Sequence, residues 1–262
     1  MELGLKGKSA LVMASSSGLG KAVALELARE QAKVMLFARD EDRLKDAQAD
    51  IEKETGYRPE YYVGSITSYD DIKDLVKTTV EKNGPIFALV NNTGGPKLGV
   101  FNTIADQDWQ DGFELCLLSY VRTIREVLPY MRQNGGGRIL CTTSSSVKET
   151  LENLILSNTF RMGVVGMAKA LSRELGNDNI LVNVIGPGRV GTTRLNQFDN
   201  AKAEKLGITV EELKNRTFKE IPLGRYGTPD EYGRFAAFLC SQANTYITGQ
   251  TILLDGGMVK AY

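Results

Sequence analysis

Short apolar runs alternate with longer stretches in which apolar residues recur every three or four positions, from one end of the chain to the other. The runs 9–14, 33–38, 60–64, 86–91, 138–143, 180–185 and 251–254 read as strands. Helical patterns separate them at 18–29, 40–55, 69–82, 106–133, 152–176 and near 229–240. Strands that alternate with helices predict right-handed βαβ units, and hence an α/β, doubly wound parallel sheet of about seven strands, covered on both faces. No linker or internal repeat interrupts the series, so residues 1–262 read as a single domain. The least regular part is 189–220, where Thr192-Thr193 precede a polar, helical-looking stretch. A lid over a site and a plain surface excursion both fit it.

Composition mainly excludes. Hydrophobic residues make up 42% of the chain, enough for one large core. The 32 basic residues balance the 32 acidic ones, so no net field favours a nucleic acid or a membrane. Cys116, Cys141 and Cys240 are far apart and odd in number, and read as buried, reduced thiols of a cytoplasmic protein. The opening residues Met1 to Lys6 lack the apolar stretch of a signal peptide, and no run of eighteen apolar residues follows, which adds to a soluble reading. The chain has no histidine, which removes Ser-His-Asp and Cys-His catalysis and any His-ligated metal.

The first strand runs into Ser15-Ser16-Ser17-Gly18-Leu19-Gly20, which opens the first helix. A turn there suits phosphate binding, since backbone N–H groups and the helix N-terminus attract anions. Gly18 and Gly20 allow close backbone approach. Arg39, ending the second strand, suits a ribose 2′-phosphate and so favours NADP. Asp40 leaves NAD open as a ribose ligand, or serves instead as the N-cap of the next helix.

These features, with Asn91-Asn92-Thr93-Gly94, Ser144, Asn183-Val184-Ile185-Gly186-Pro187-Gly188, Thr192 and the closing Ile247-Thr248-Gly249-Gln250 and Asp255-Gly256-Gly257, resemble the short-chain dehydrogenase/reductase family. Within it the chain is similar to the 3-oxoacyl-carrier-protein reductase type, over nearly its whole length. The resemblance implies a Rossmann-type fold and an oxidoreductase acting on a carbonyl or alcohol. It places the pyrophosphate on Ser15, Ser16, Ser17, Gly18, Leu19 and Gly20, and the adenosine and ribose region on Asn92, Thr93 and Gly94, with Ser65 after the third strand. Pro187, Gly188, Val190 and Thr192 hold the nicotinamide amide in this alignment. It also implies a homodimer or homotetramer formed through the long helices and the last strand.

The family's usual Asn, Ser, Tyr, Lys set is broken. Ser144 keeps the serine place, but Ser157 stands at the tyrosine, Arg161 at the lysine and Cys116 at the asparagine. Met13-Ala14 replaces the usual Thr-Gly, and Ser65 the usual aspartate. A serine hydroxyl is a poor acid, and a guanidinium with a pKa above about 12 cannot relay a proton. Ser157 and Arg161, spaced i to i+4, share a helix face, so Arg161 can still meet the cofactor. Its alternative is a surface pair with Glu152. Cys116 reads as core, or as a thiol acidified by Arg161; Tyr120 reads as packing, or as a displaced tyrosine. Ser144, Ser157 and Arg161 are therefore the catalytic candidates of a divergent reductase. The competing reading is a silent cofactor-binding sensor or structural protein of the same fold.

Overall fold

The structure, a computed structural model, describes residues 2–261; Met1 and Tyr262 lie outside them. Seven strands form one sheet in the order β3-β2-β1-β4-β5-β6-β7, every adjacent pair parallel. They are β1 (Ser9–Met13), β2 (Lys33–Ala38), β3 (Glu60–Val63), β4 (Ile86–Asn91), β5 (Gly137–Thr142), β6 (Ile180–Pro187) and β7 (Thr251–Leu254). Parallel strands need crossovers, and the helices supply them: α1 (Gly18–Arg29), α2 (Glu41–Thr55), α3 (Tyr69–Asn83), α4 (Asp106–Phe113), α5 (Ser119–Gln133), α6 (Ile155–Glu174) and α9 (Pro229–Leu239).

The alternation of side chains along each strand divides the core into two layers. Ala10 and Val12 of β1 join Val23, Leu27, Leu44 and Tyr232 on the face covered by α1, α2 and α9. Leu11 and Met13 face the other way, onto Leu75, Tyr120, Val127 and Val164 of α3, α5 and α6. Both faces are dry, which is why β1, β4 and β5 are apolar without alternation.

Boundaries moved by a few residues where caps took over. Asp40 is outside α2 as its N-cap, its carboxylate accepting from Arg43 N–H at 3.1 Å. The long 106–133 pattern is one helical run, but Glu114–Leu118 forms a π turn between α4 and α5 and places Cys116 inside it. The irregular 189–220 stretch holds α7 (Thr193–Leu206) and α8 (Val210–Phe218), both polar helices. No helix among the described residues is long and apolar enough to cross a membrane.

Strand order reverses between β1 and β4, so the loops leaving their C-terminal ends part and open a crevice there. The chain enters that crevice through a strained residue. Ala14 has φ +49°, a left-handed conformation that costs a residue with a Cβ about 1–2 kcal/mol. Ala14→Gly removes that strain and adds unfolded-state entropy, so it is expected to raise stability by up to about 1 kcal/mol, read as a higher denaturant midpoint at unchanged m-value.

Candidate active site

The turn after β1 is built around absent side chains. A Cβ on Gly20 would collide with the Ala14 carbonyl oxygen, and Asn92 Nδ2 donates weakly to that same oxygen at 3.5 Å. Gly18 takes φ +57° and lies under the Thr192 methyl group. Ser17 is the N-cap of α1, but its hydroxyl caps nothing, so the first-turn N–H groups of α1 have no side-chain acceptor among the described residues. Such an end attracts an oxyanion.

Ser15 differs from its neighbours. Its hydroxyl donates to the Val12 carbonyl at 2.8 Å and accepts from Phe37 N–H at 2.9 Å, while its own N–H donates to the Phe37 carbonyl. Fully buried, it stitches β1 to β2 and offers neither its hydroxyl nor its N–H to a ligand. Its place in the phosphate turn is thus corrected to a strand-pairing role. Ser16 remains on the turn, and Leu19 and Gly20 lie in the first turn of α1.

Across the crevice, Thr93 Oγ1 is buried without a partner among the described residues, beside Asn92 and Gly94. Ser65 N–H donates to Asp71 at 2.7 Å and its hydroxyl meets Thr67, so it serves mainly to bend the chain into α3. Arg39 is exposed and enters no hydrogen bond or ion pair among the described residues, whereas Asp40 is used as a cap. Pro187 closes β6. Gly188 abuts Asp255, Val190 bridges to Gly227, and the Thr192 hydroxyl accepts from Leu195 N–H at 3.2 Å to start α7.

The substituted residues meet in one buried cluster. Arg161, 7% exposed, reaches across from α6 with three neutral acceptors: Ser157 Oγ at 3.1 Å, the Thr142 carbonyl at 3.3 Å and the Gly94 carbonyl at 3.4 Å. The predicted common face of Ser157 and Arg161 is therefore present. The alternative of a surface pair with Glu152 is not: Arg161 is inside and no carboxylate bonds to it among the described residues. Ser144 Oγ accepts from Ser146 N–H at 3.2 Å, which leaves its own proton free to donate.

Neither displaced acid survives. Tyr120 is fully buried, its hydroxyl donating to the Thr142 carbonyl at 2.8 Å. Burial pushes its pKa well above the ordinary value, and Arg161 offsets only part of this. Burial likewise raises the Cys116 thiol, with Arg161 and Arg194 pulling the other way without prevailing. The reading of Cys116 as an acidified thiol is thus corrected: desolvation outweighs the two cations. Both groups lie above their usual range, so both stay protonated across neutral pH and neither adds an ionisation there. Tyr120→Phe is expected to cost about 1 kcal/mol of stability for the lost hydrogen bond, with no change in any pH–rate profile between about pH 6 and 9.

One residue escaped the sequence reading. Arg194, near the start of α7, lays its guanidinium against Gly94 and Gly95, close to where a Cβ on Gly95 would stand. The residue as a whole is exposed, yet desolvation is the largest influence lowering its pKa, and repulsion from Arg161 follows. The crowding is local to the guanidinium, while the rest of the residue stays open to solvent. The available signal was a charged residue two places after Thr192, hidden in a stretch read as lid or surface.

The family described as Enoyl-(Acyl carrier protein) reductase matches residues 13–259. A 3-oxoacyl-(acyl-carrier-protein) reductase of Thermotoga maritima is 33% identical over 257 residues, 97% of this chain and 99% of its own. The structure of L-sorbose reductase from Gluconobacter frateurii, complexed with NADPH and L-sorbose, is 31% identical with a TM-score of 0.95, covering 100% of both chains. A short chain oxidoreductase from Pseudomonas aeruginosa PAO1, described as containing an atypical catalytic center, is 26% identical with a TM-score of 0.91 over 99% of this chain and 100% of its own. Matched along almost its entire length by pattern, sequence and fold, the chain belongs to the short-chain dehydrogenase/reductase family.

Proposed function

We propose that this protein is a divergent NADP-dependent oxidoreductase of carbonyl and alcohol substrates, in which a fixed guanidinium and two hydroxyls replace the usual proton donor. The observation that carries it is Arg161: a buried cation bonded, among the described residues, only to neutral oxygens, one of them the Gly94 carbonyl. A bare charge in a desolvated site is costly unless an anion or developing negative charge joins it.

The residues fit the cofactor. The side-chain-free opening of α1, the glycine cradle at 18–20 and the unpartnered Thr93 hydroxyl suit a pyrophosphate and ribose, and Arg39 suits a 2′-phosphate. Arg161 also reaches the Gly94 carbonyl, which fits contact with the ribose beside it. The NADPH-bound sorbose reductase supports the same choice. When bound, NADPH supplies a hydride.

Arg161 holds negative charge as it develops on the substrate oxygen. Ser144 donates its free proton to the same oxygen as a hydrogen bond. The Ser157 hydroxyl accepts from Arg161 Nε, so its own proton is available to orient a water. That water relays to the oxygen the proton it finally takes and is itself re-protonated from bulk solvent, since burial keeps Tyr120 and Cys116 from serving as the acid. The Pseudomonas aeruginosa protein with its atypical center supports a changed centre within this frame.

The reading extends to a cytoplasmic homodimer or homotetramer, supported by exposed apolar side chains on the long helices, Phe113 at the end of α4 and Met162 on α6. Cofactor binding without turnover is the second reading, favoured by the high pKa of both Tyr120 and Cys116. NADPH oxidation over a panel of ketones, aldehydes and oxo acids separates the two. Turnover above heat-inactivated protein is expected. NADPH binding with no substrate reduced, and activity appearing only in the Ser157→Tyr/Arg161→Lys variant, would sink the reductase reading.

A further inference from the structure

Two guanidinium groups converge on one short loop. Arg161 donates to the Gly94 carbonyl, and the Arg194 guanidinium lies against Gly94 and Gly95, close enough for the Arg161 charge to help lower the Arg194 pKa. Like charges this close repel, and neither enters an ion pair among the described residues. Arg161 spends three of its five N–H donors on neutral oxygens, all at 3.1 Å or longer. The Arg194 side chain makes no hydrogen bond among the described residues and stacks over the Phe198 ring at 5.7 Å. Among the described residues, two N–H donors of Arg161 and all five of Arg194 therefore have no acceptor, and two positive charges stand by one loop, with Ser157 bonded to the first.

The cofactor's own anions are provided for elsewhere. The turn at 16–20 and the N-terminus of α1 suit the pyrophosphate, and Arg39 at the end of β2 suits a 2′-phosphate. What remains for the arginine pair is an oxyanion on the substrate. A planar guanidinium fork matches a carboxylate two bonds at a time, and a second cation on α7 doubles the attraction.

We propose that the substrate is an oxo acid, whose carboxylate is held between Arg161 and Arg194 with its carbonyl oxygen directed at Arg161 and Ser144. This rests on the reductase reading above and names its substrate class. In the reaction the carbonyl carbon gains the hydride supplied by NADPH, the C=O π pair moves to oxygen, and that oxygen takes a proton relayed through water, which is re-protonated from bulk solvent. The carboxylate is unchanged, the product is a hydroxy acid, and the cofactor is left as NADP+.

The test compares 2-oxohexanoate and 3-oxohexanoate with their methyl esters as substrates of the full-length protein. In parallel, calorimetry titrates the NADP+-loaded protein with 2-hydroxyhexanoate and 2-hydroxyhexanamide. At least one acid is expected to exceed its ester in kcat/KM by tenfold or more, and the hydroxy acid to bind at least tenfold tighter than the amide. Arg194→Met is expected to reduce both preferences below twofold, with the Kd of NADPH within twofold of the unsubstituted protein. Arg194→Lys retains the charge and part of the preference, which separates a lost anion contact from a misfolded variant. Esters equal to acids together with amide equal to acid, in the unsubstituted protein, overturns the proposal. So does an Arg194→Met variant that loses NADPH binding tenfold but keeps the preference for acids, since the pair then serves a cofactor phosphate. If neither oxo acid is reduced yet the hydroxy acid binds through Arg194, the anion site stands and the reductase reading fails.

Discussion

Arg161→Met is expected to lower kcat/KM for carbonyl reduction by about 100- to 1,000-fold, the scale of losing a preorganised donor to a developing oxyanion. Methionine fills much the same volume without charge or donors, so the loss reports electrostatics more than packing. The variant also releases Ser157 Oγ and the carbonyls of Thr142 and Gly94 from their shared partner. That costs stability of order 1–3 kcal/mol, which a melting curve monitors separately. No replacement acid emerges: Arg161 is what holds Cys116 and Tyr120 down, so its removal lifts both further from neutrality. Steady-state rates at saturating NADPH, with cofactor affinity measured independently, check the claim. A loss confined to NADPH affinity, with kcat intact, would show that Arg161 only anchors the cofactor.

The second large effect is expected at the other end of the crevice. Arg39→Ala should weaken NADPH binding by about 10- to 100-fold and leave NADH within about twofold. A charge-assisted hydrogen bond to a phosphate is worth about 1.5–3 kcal/mol, and the Arg39 side chain has no competing partner among the described residues. Asp40 supplies the control. Its carboxylate caps α2 and pairs with Arg43 at 3.4 Å, so Asp40→Ala should cost about 1 kcal/mol of stability without altering the ratio of NADPH to NADH affinity. Fluorescence titration with both cofactors decides it. Equal weakening of the two by Arg39→Ala would mean that the arginine does not read the 2′-phosphate.

Much of the frame could be read along the chain because its causes are local. Seven apolar runs and the helical periods between them reappear as seven strands and their crossovers, most ends within two residues of the pattern. The exceptions have local causes too: Asp40 withdrew from α2 to cap it, and the π turn at Glu114–Leu118 divided an unbroken helical pattern. A period of 3.6 cannot reveal one extra residue in a turn. Ser15 shows a different limit. In the sequence it is one serine of three in a phosphate turn, but its hydroxyl and N–H both go to the neighbouring strand. Which serine faces the sheet depends on the register of β1 against β2, which no single segment contains.

For the site, the glycines at 18 and 20, Arg39, and the exchange of Tyr and Lys for Ser157 and Arg161 stand in the primary structure. Their spacing follows from turn and helix geometry, which neighbouring residues set. Three other properties exist only once the sheet is ordered: Arg161 buried among neutral oxygens, Tyr120 sealed beneath Thr142, and Arg194 brought from α7 to the loop after β4. Each joins segments far apart in sequence, and each turns on desolvation, which raises a phenol or thiol and lowers a guanidinium according to what surrounds it. Chain chemistry names the cation at position 161. Packing decides that it stands beside a second cation, with no carboxylate bonded to it among the described residues.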